Sequence, residues 1–296
     1  MKTITRRDLL KKTAVAAAGS AVLLNSPVEA WANAQQAKTK VVLVRHQQLF
    51  AKGDSPDPDV ARQMLDQAVC TLTGQKDAAA AWKTIVKPTD VLGIKTNNWN
   101  KLPTPAILEE IVKERVLAAG VAQENVSIGD RGVLSDPVFQ KSTALINIRP
   151  MRTHAWSGVG TLMKNYIMFS PAPSSYHPDS CASLATLFDL PEVKGKSRLH
   201  ILAMFTPQFH HLAPSQFSEE YIWKYSGLLM GFDPVAVDSI GLRIIEAKRT
   251  EYFKEYTPLN PPAKHIALAD TKYHLGTADP SKIELVKLGW DADSFV

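Results

Sequence analysis

The stretch Val86-Lys87-Pro88-Thr89-Asp90-Val91-Leu92-Gly93-Ile94-Lys95-Thr96-Asn97-Asn98-Trp99-Asn100 sets a short apolar run between a proline turn and a cluster of polar groups. Asp90 to Lys95 has the length and character of a buried strand. Pro105 to Ala119 then places Ile107, Leu108, Ile111, Val112 and Val116 on one helical face, and Gly120 ends that helix as a C-cap. Val126 to Asp130 is the next strand. Strand, amphipathic helix, strand is the repeating unit of a parallel sheet covered by helices.

The same alternation extends in both directions. Val41 to Val44 reads as a strand, and Pro58 to Leu72 as a helix that turns Val60, Met64, Leu65, Ala68, Val69 and Leu72 inward. Further on, Ala144–Ile148 and His200–Met204 read as strands, and Gly158–Met168, Ser180–Phe188 and Asp233–Lys248 as helices. Asp233 is an N-cap candidate before Pro234 at the first helical position. The segment 206–230, with Pro207 and Pro214, reads as a long irregular loop or lid. Continuous apolar strands require cover on both faces. The expected class is α/β, with a mostly parallel or mixed sheet, helices on both faces, three layers and a Rossmann-like arrangement.

Residues 1–34 stand apart as a leader. Arg6-Arg7 is followed by an uncharged apolar run, Ala14 to Leu24, and by Ala32-Asn33-Ala34, a small-x-small cleavage pattern. The run is shorter than the ~20 residues a spanning helix needs. These features imply a twin-arginine signal peptide, with the twin-arginine translocase and signal peptidase as partners. A single α/β domain, 35–296, is then expected in the periplasm, with no stable membrane insertion after cleavage. The chain's formal charge is +5, and Lys2, Arg6, Arg7, Lys11 and Lys12 against Asp8 and Glu29 carry more than half of it. The remainder is near neutral, so nucleic acid is not an expected partner. Two cysteines, Cys70 and Cys181, are too few for a four-cysteine iron–sulfur cluster, and none is expected. An oxidising compartment permits a disulfide between them, but two separate buried thiols fit the usual behaviour of free cysteine better.

Ligands of open α/β sheets bind beyond the carboxyl ends of the strands. Four such ends carry polar residues: Lys95 with Asn97, Asp130 with Arg131, Arg149 with Arg152 and His154, and Thr206 with Gln208, His210 and His211. Lys95 suits an anion holder, a base, or a solvated strand-closing lysine. Asp130 suits a metal ligand, a partner of Lys95, or a turn cap. His154 and Lys164 are candidate acid/base or anion-holding groups, with Asn97 and Asn165 as orienting donors. His177 lies in a turn-rich loop. The adjacent His210 and His211 should contribute at most one ring to a shared site. Lys95, Asp130, His154 and one of that pair are expected to line one cleft. Asp238, among apolar residues in the first turns of its helix, is expected to be buried and hydrogen-bonded near the site, with Lys95 or Lys164 as candidate partners. Ligand-spacing motifs for metals, phosphate-binding loops, dinucleotide fingerprints and serine-hydrolase elbows are absent from the sequence.

Several blocks in order resemble the domain of unknown function 362 family. They are Val86 to Asn97, Ala118 to Asp130, Thr153-His154 with Met163-Lys164-Asn165, Gly231 to Asp238, and Leu275 to Val286. The resemblance implies an α/β fold with its site at these blocks. Thr96 stands where that pattern has proline, Arg152 where it has lysine, and the ferredoxin-like cysteine cluster of some members is missing.

Two functional classes follow. One is a periplasmic enzyme acting on a small polar or anionic molecule, with or without a metal or cofactor, whose identity is unknown. The other is a non-catalytic periplasmic protein that binds or assembles a ligand or metal. For the leader, replacing Arg6 and Arg7 together by lysine is expected to abolish export and leave folded precursor in the cytoplasm. Cell fractionation tests this, and a normal periplasmic level of the double variant would refute it.

Overall fold

The computed structural model describes residues 38–296, so the leader at 1–34 lies outside the described residues. In chain order the main elements begin with β1 (Thr39–Arg45), α1 (Pro58–Thr73), α2 (Ala78–Ile85), β2 (Leu92–Lys95), α3 (Ala106–Ala118) and β3 (Val126–Gly129). Then come α4 (Pro137–Gln140), β4 (Ala144–His154), β5 (Gly158–Gly160), α5 (Leu162–Asn165), β6 (Ser197–Ala213) and β7 (Gly227–Gly231). The chain closes with α6 (Pro234–Phe253), α7 (Lys264–Thr271) and β8 (Ile283–Gly289).

The eight strands form one mixed sheet in the order β3-β2-β4-β6-β7-β1-β8, with β5 paired to β4 off that path. β3, β2, β4 and β6 run parallel. β7 is antiparallel to both of its neighbours, β6 and β1, while β8 is parallel to β1. Alternate residues of a strand face opposite sides. Val42 and Val44 accordingly join one core with α1, α2 and α3 side chains such as Leu65, Trp82 and Ile111. Val41 and Leu43 join the other, with Val237, Ile240 and Ile244 of α6 and Ile266 of α7. Two cores flank one sheet, which makes this a three-layer α/β fold.

The helix signals in the sequence operate as local physics requires. Asp57 caps α1 by accepting from the backbone N–H groups of Asp59 and Val60, and Gly74 ends the helix at φ 71°. Asp233 caps α6 through Val235 (2.8 Å) and Ala236 (3.1 Å), and it also accepts from the Thr277 N–H at 2.8 Å. This one carboxylate therefore joins the start of α6 to the segment that leads into β8.

Several expected boundaries differ. β2 begins at Leu92, because the Asp90 carboxylate is engaged by Arg198 in two hydrogen bonds of 2.6 and 2.9 Å. β4 does not stop at Ile148 but continues to His154, past the point where β2 ends opposite Asn147. Pro150 thus falls where β4 no longer pairs with β2, and its missing N–H breaks no ladder there. The expected helix 158–168 is instead β5, the single turn α5 and a 3-10 turn, Tyr166–Phe169. Gly158 has φ +72°, and a Cβ there would lie 2.6 Å from the Pro261 carbonyl oxygen, so the chain reverses tightly at that point. The expected helix 180–188 breaks where Asp179, Ser180 and Cys181 all take positive φ, and a 3-10 turn, Leu184–Asp189, follows. The segment 206–230 is mostly not a loop: β6 runs through Pro207 to Ala213, and β7 begins at Gly227. Register shifts between β4 and β6 absorb that stretch.

Asp233→Ala is expected to destabilise the protein by about 1–2 kcal/mol, the upper end of the capping range because a third N–H is also lost. Urea unfolding measures this, and a loss below about 0.3 kcal/mol would refute the capping role.

Candidate functional site

β4 overshoots β2, leaving a hollow beyond the ends of β2 and β3. A cavity of about 360 Å³ opens there, lined by Asn97, Asp130, Arg131, Arg149, Arg152, His154, Lys164 and Asn165, with Trp99, Trp156 and His177 on its walls. This is the strand-end position at which α/β sheets bind ligands.

The tight reversal at Gly158 brings the chain back along its own strand. β4 and β5 pair antiparallel, with His154 opposite Gly158 and Arg152 opposite Gly160. Gly160 is required at this crossing, since a Cβ would lie 2.8 Å from Arg149 Nη2 and 3.2 Å from His154 Cδ2. α5 then starts against α6. Asp238, fully buried, accepts from the Thr161 hydroxyl at 2.6 Å and from the Leu162 and Met163 N–H groups at 3.0 Å each. It therefore caps α5 from a different helix and aims Lys164 and Asn165 at the strand ends. Asn165 Nδ2 donates to the Lys95 and Ile148 carbonyls, each at 3.2 Å, and to Asn147 Oδ1 at 2.8 Å, which stitches α5 across β2 and β4.

Lys95 lies beneath the cavity rather than on its wall. It is fully buried, and its Nζ donates to Asp130 Oδ1 at 2.6 Å and to the Thr96 carbonyl at 2.7 Å. Asp130 Oδ2 accepts from the Asn98 N–H at 3.0 Å. Burial lowers the Lys95 pKa to about 8, with Asp130 opposing the shift. Burial would raise Asp130, but Lys95 and the Asn98 N–H hold it below the usual carboxylate range.

The remaining cations have no such partner. Among the described residues, Arg149, Arg152 and Lys164 form no salt bridge, although each is only 3% exposed. Arg149 donates one bond, to the Thr161 carbonyl at 3.3 Å, and its Nε has no acceptor. Arg152 donates to the Leu102 carbonyl and to Asn97 Oδ1, lies 4.7 Å from the Trp99 ring centre, and also has an unpaired Nε. Lys164 Nζ meets Cys181 Sγ at 3.6 Å. Burial lowers Arg149 to about 10, with Asp130 and Asp238 opposing, and lowers Lys164 to about 8, with Cys181 opposing and Arg149 and Arg152 reinforcing. His154 is pushed well below its ordinary value by burial and then by Lys164, Arg149 and Arg152, so it is neutral at pH 7. Its Nδ1 accepts from the Trp156 N–H at 3.3 Å, which places the ring proton on Nε2. Trp156 stacks on His177 with ring centres 4.3 Å apart.

The structure thus brings Asn97, Asp130, His154, Lys164, Asn165 and His177 into one place, with Lys95 and Asp238 supporting them from below. It does not bring His210 or His211. β6 carries both to a separate cavity of about 180 Å³ with Thr153 and Arg249, where Arg249 meets His210 Nδ1 at 3.0 Å. Asp238 is buried and hydrogen-bonded as expected, but it binds α5 rather than Lys95 or Lys164. Arg149 and Arg152 were placed at a strand end by the sequence but given no role there, and Trp99 and Trp156 were given none either. The signal for the arginines was present: two guanidinium groups three residues apart, in a chain segment that otherwise reads as buried. Cys70 and Cys181 are both free thiols, the first half-buried and the second buried. Among the described residues no group of three or more His, Cys, Asp or Glu side chains is placed to hold a metal ion. No helix among them is long and apolar enough to cross a membrane. No known family model, curated protein or solved structure matches the chain.

Asp238 sits in the folded protein with its pKa raised to about 7, by burial and against its three hydrogen bonds. The folded state therefore keeps a proton that the unfolded chain releases near pH 3.8. Its contribution is complete below that pH and is lost as pH rises through about 7. Relative to Asp238→Asn, the wild type is expected to lose about 2–4 kcal/mol between pH 4 and 7. Parallel unfolding curves for the two proteins would refute this.

Proposed function

We propose that the strand-end cavity binds a small anionic molecule, and that the protein does so in the periplasm after twin-arginine export. The observation that carries the proposal is the set of three buried cations, Arg149, Arg152 and Lys164, with no acidic partner among the described residues. Unpaired buried charge costs several kcal/mol, and a bound anion removes that cost. The one carboxylate on the cavity wall, Asp130, bonds Lys95 and Asn98 and acts on the arginines only at a distance, without a salt bridge to either. Two guanidinium groups are suited to a carboxylate or phosphate, which they can grip with paired N–H donors. The indoles of Trp99 and Trp156 line the same cavity and lie against Arg152 and Lys164.

A catalytic acid/base reading would set His154, Lys164 and a carboxylate in mutual contact. Among the described residues no carboxylate is hydrogen-bonded to either, so ligand binding is the better supported half of the alternative. The cavity volume suits a metabolite-sized ligand. The reading rests on this geometry and not on the sequence resemblance.

Malonate titrated into the protein by calorimetry is the direct test. Arg149→Met and Arg152→Met are each expected to weaken binding at least about tenfold, the effect of ~1.4 kcal/mol. Lys164 is charged below its pKa of about 8, so wild-type affinity is expected to fall as pH rises through that value. Lys164→Met should bind more weakly and show little change over the same interval. Affinity unchanged in all three variants would refute the proposal.

A further inference from the structure

The protein buries two lysines a short distance apart and treats them in opposite ways. Lys95 is saturated, with Asp130 at 2.6 Å and the Thr96 carbonyl at 2.7 Å. Lys164 lines the cavity, has no carboxylate or carbonyl acceptor among the described residues, and meets the Cys181 thiol at 3.6 Å and the Trp156 ring at 6.0 Å from its centre. Arg149 and Arg152 share the same wall. A buried amine facing an open cavity, with fixed positive charge beside it and no anion to keep its proton, is the setting in which lysine acts as a nucleophile.

We propose that Lys164 captures the carbonyl group of a small anionic aldehyde or ketone as an imine, while Arg149 and Arg152 hold the carboxylate or phosphate of the same molecule. This rests on the anion-binding reading above and names its substrate class. In the step, the neutral amine lone pair adds to the carbonyl carbon, the C–N bond forms, and the carbonyl oxygen departs as water with the two amine hydrogens. No electrons are gained or lost. His154 lines the same cavity, and its Nε2–H, which has no partner among the described residues, can donate a hydrogen bond to the carbonyl oxygen while the two amine hydrogens pass to it. Burial contributes in the same direction, since with a pKa of about 8 roughly a tenth of Lys164 is neutral at pH 7. An ordinary lysine near 10.4 is less than about one-thousandth neutral there. Cys181, whose pKa is raised by burial, stays a thiol and leaves the amine as the nucleophile.

Reductive trapping tests this on the full chain. Glyoxylate is added with cyanoborohydride, which reduces an imine to a stable secondary amine, and the labelled lysines are located by peptide mass spectrometry. Lys164 is expected to label at least about tenfold faster than the exposed Lys101 and Lys141, following its larger neutral fraction. Malonate should block that labelling. Lys164→Arg should lose the fast site while keeping the wild-type circular dichroism spectrum and cooperative thermal unfolding, which shows that the variant is folded. If wild-type Lys164 labels no faster than Lys101 and Lys141 while malonate binds, the imine proposal is overturned and the anion-binding reading stands. If malonate does not bind and labelling is unselective, both fall. Fast labelling at Lys164 that malonate leaves unchanged overturns the placement of the anionic group on the arginines.

Discussion

The buried carboxylate of Asp238 joins two parts of the chain that have no local reason to meet. It comes from the first turns of α6, the long helix that covers one face of the sheet, and it accepts three hydrogen bonds from Thr161, Leu162 and Met163. α5 is a single turn and could not hold its shape alone, because helix nucleation is unfavourable. The carboxylate satisfies N–H groups that such a turn leaves open, and in return those donors compensate much of the cost of burying an acid. Once α5 is held, Asn165 reaches the last carbonyls of β2 and β4, and Lys164 faces the hollow beyond them.

The charge arrangement built on that anchor is uneven. Lys95, beneath the cavity, and Asp130, on its wall, neutralise one another and use their remaining bonding capacity on Thr96 and Asn98. Arg149, Arg152 and Lys164, one layer above, share only carbonyl, amide and thiol contacts. A fold selected for stability alone would pair these groups or replace them with apolar side chains, since even a buried ion pair is often no better than a hydrophobic one. Arg45 and Arg249 are also buried without a salt bridge among the described residues, but backbone carbonyls take up their N–H groups, whereas Arg149 and Arg152 each keep an unpaired Nε beside the cavity. The sheet makes this possible by letting β4 run on after β2 has stopped, so that a strand segment flanked by neighbours elsewhere opens here onto empty space.

Neighbouring cations also act on one another. Arg149 and Arg152 lower the pKa of Lys164, and all three keep His154 neutral after burial has already disfavoured its charge. One cluster thus presents fixed charge from the guanidinium groups, an amine able to lose its proton near neutral pH, and an imidazole with one free N–H.

The local signals were legible from the amino-acid order. Asp233 before proline marked a helix start, Gly120 marked a helix end, and the runs at 41–44, 90–95 and 144–148 marked strands buried on both faces. The rule that strand ends carry the site located Asn97, Asp130 and His154, because strand polarity follows from the alternation of strands and helices. Where local preference was weak, the sequence misled. Residues 158–168 and 180–188 have helical composition, yet positive φ at Gly158 and at Asp179 to Cys181 divides them. Pro150 and Pro207 hid the extensions of β4 and β6, because a proline ends a strand only where a neighbour needs its N–H. Sequence by itself determined the capped helices, the positions of most strands, and that Asn97, Asp130 and His154 would gather at one end of the sheet. Tertiary structure decided which of those groups are paired. Lys95 meets Asp130 across 35 residues, and Asp238 meets Thr161 across 77. Whether a buried charge finds its counter-charge depends on such long-range contacts, and no local pattern encodes them.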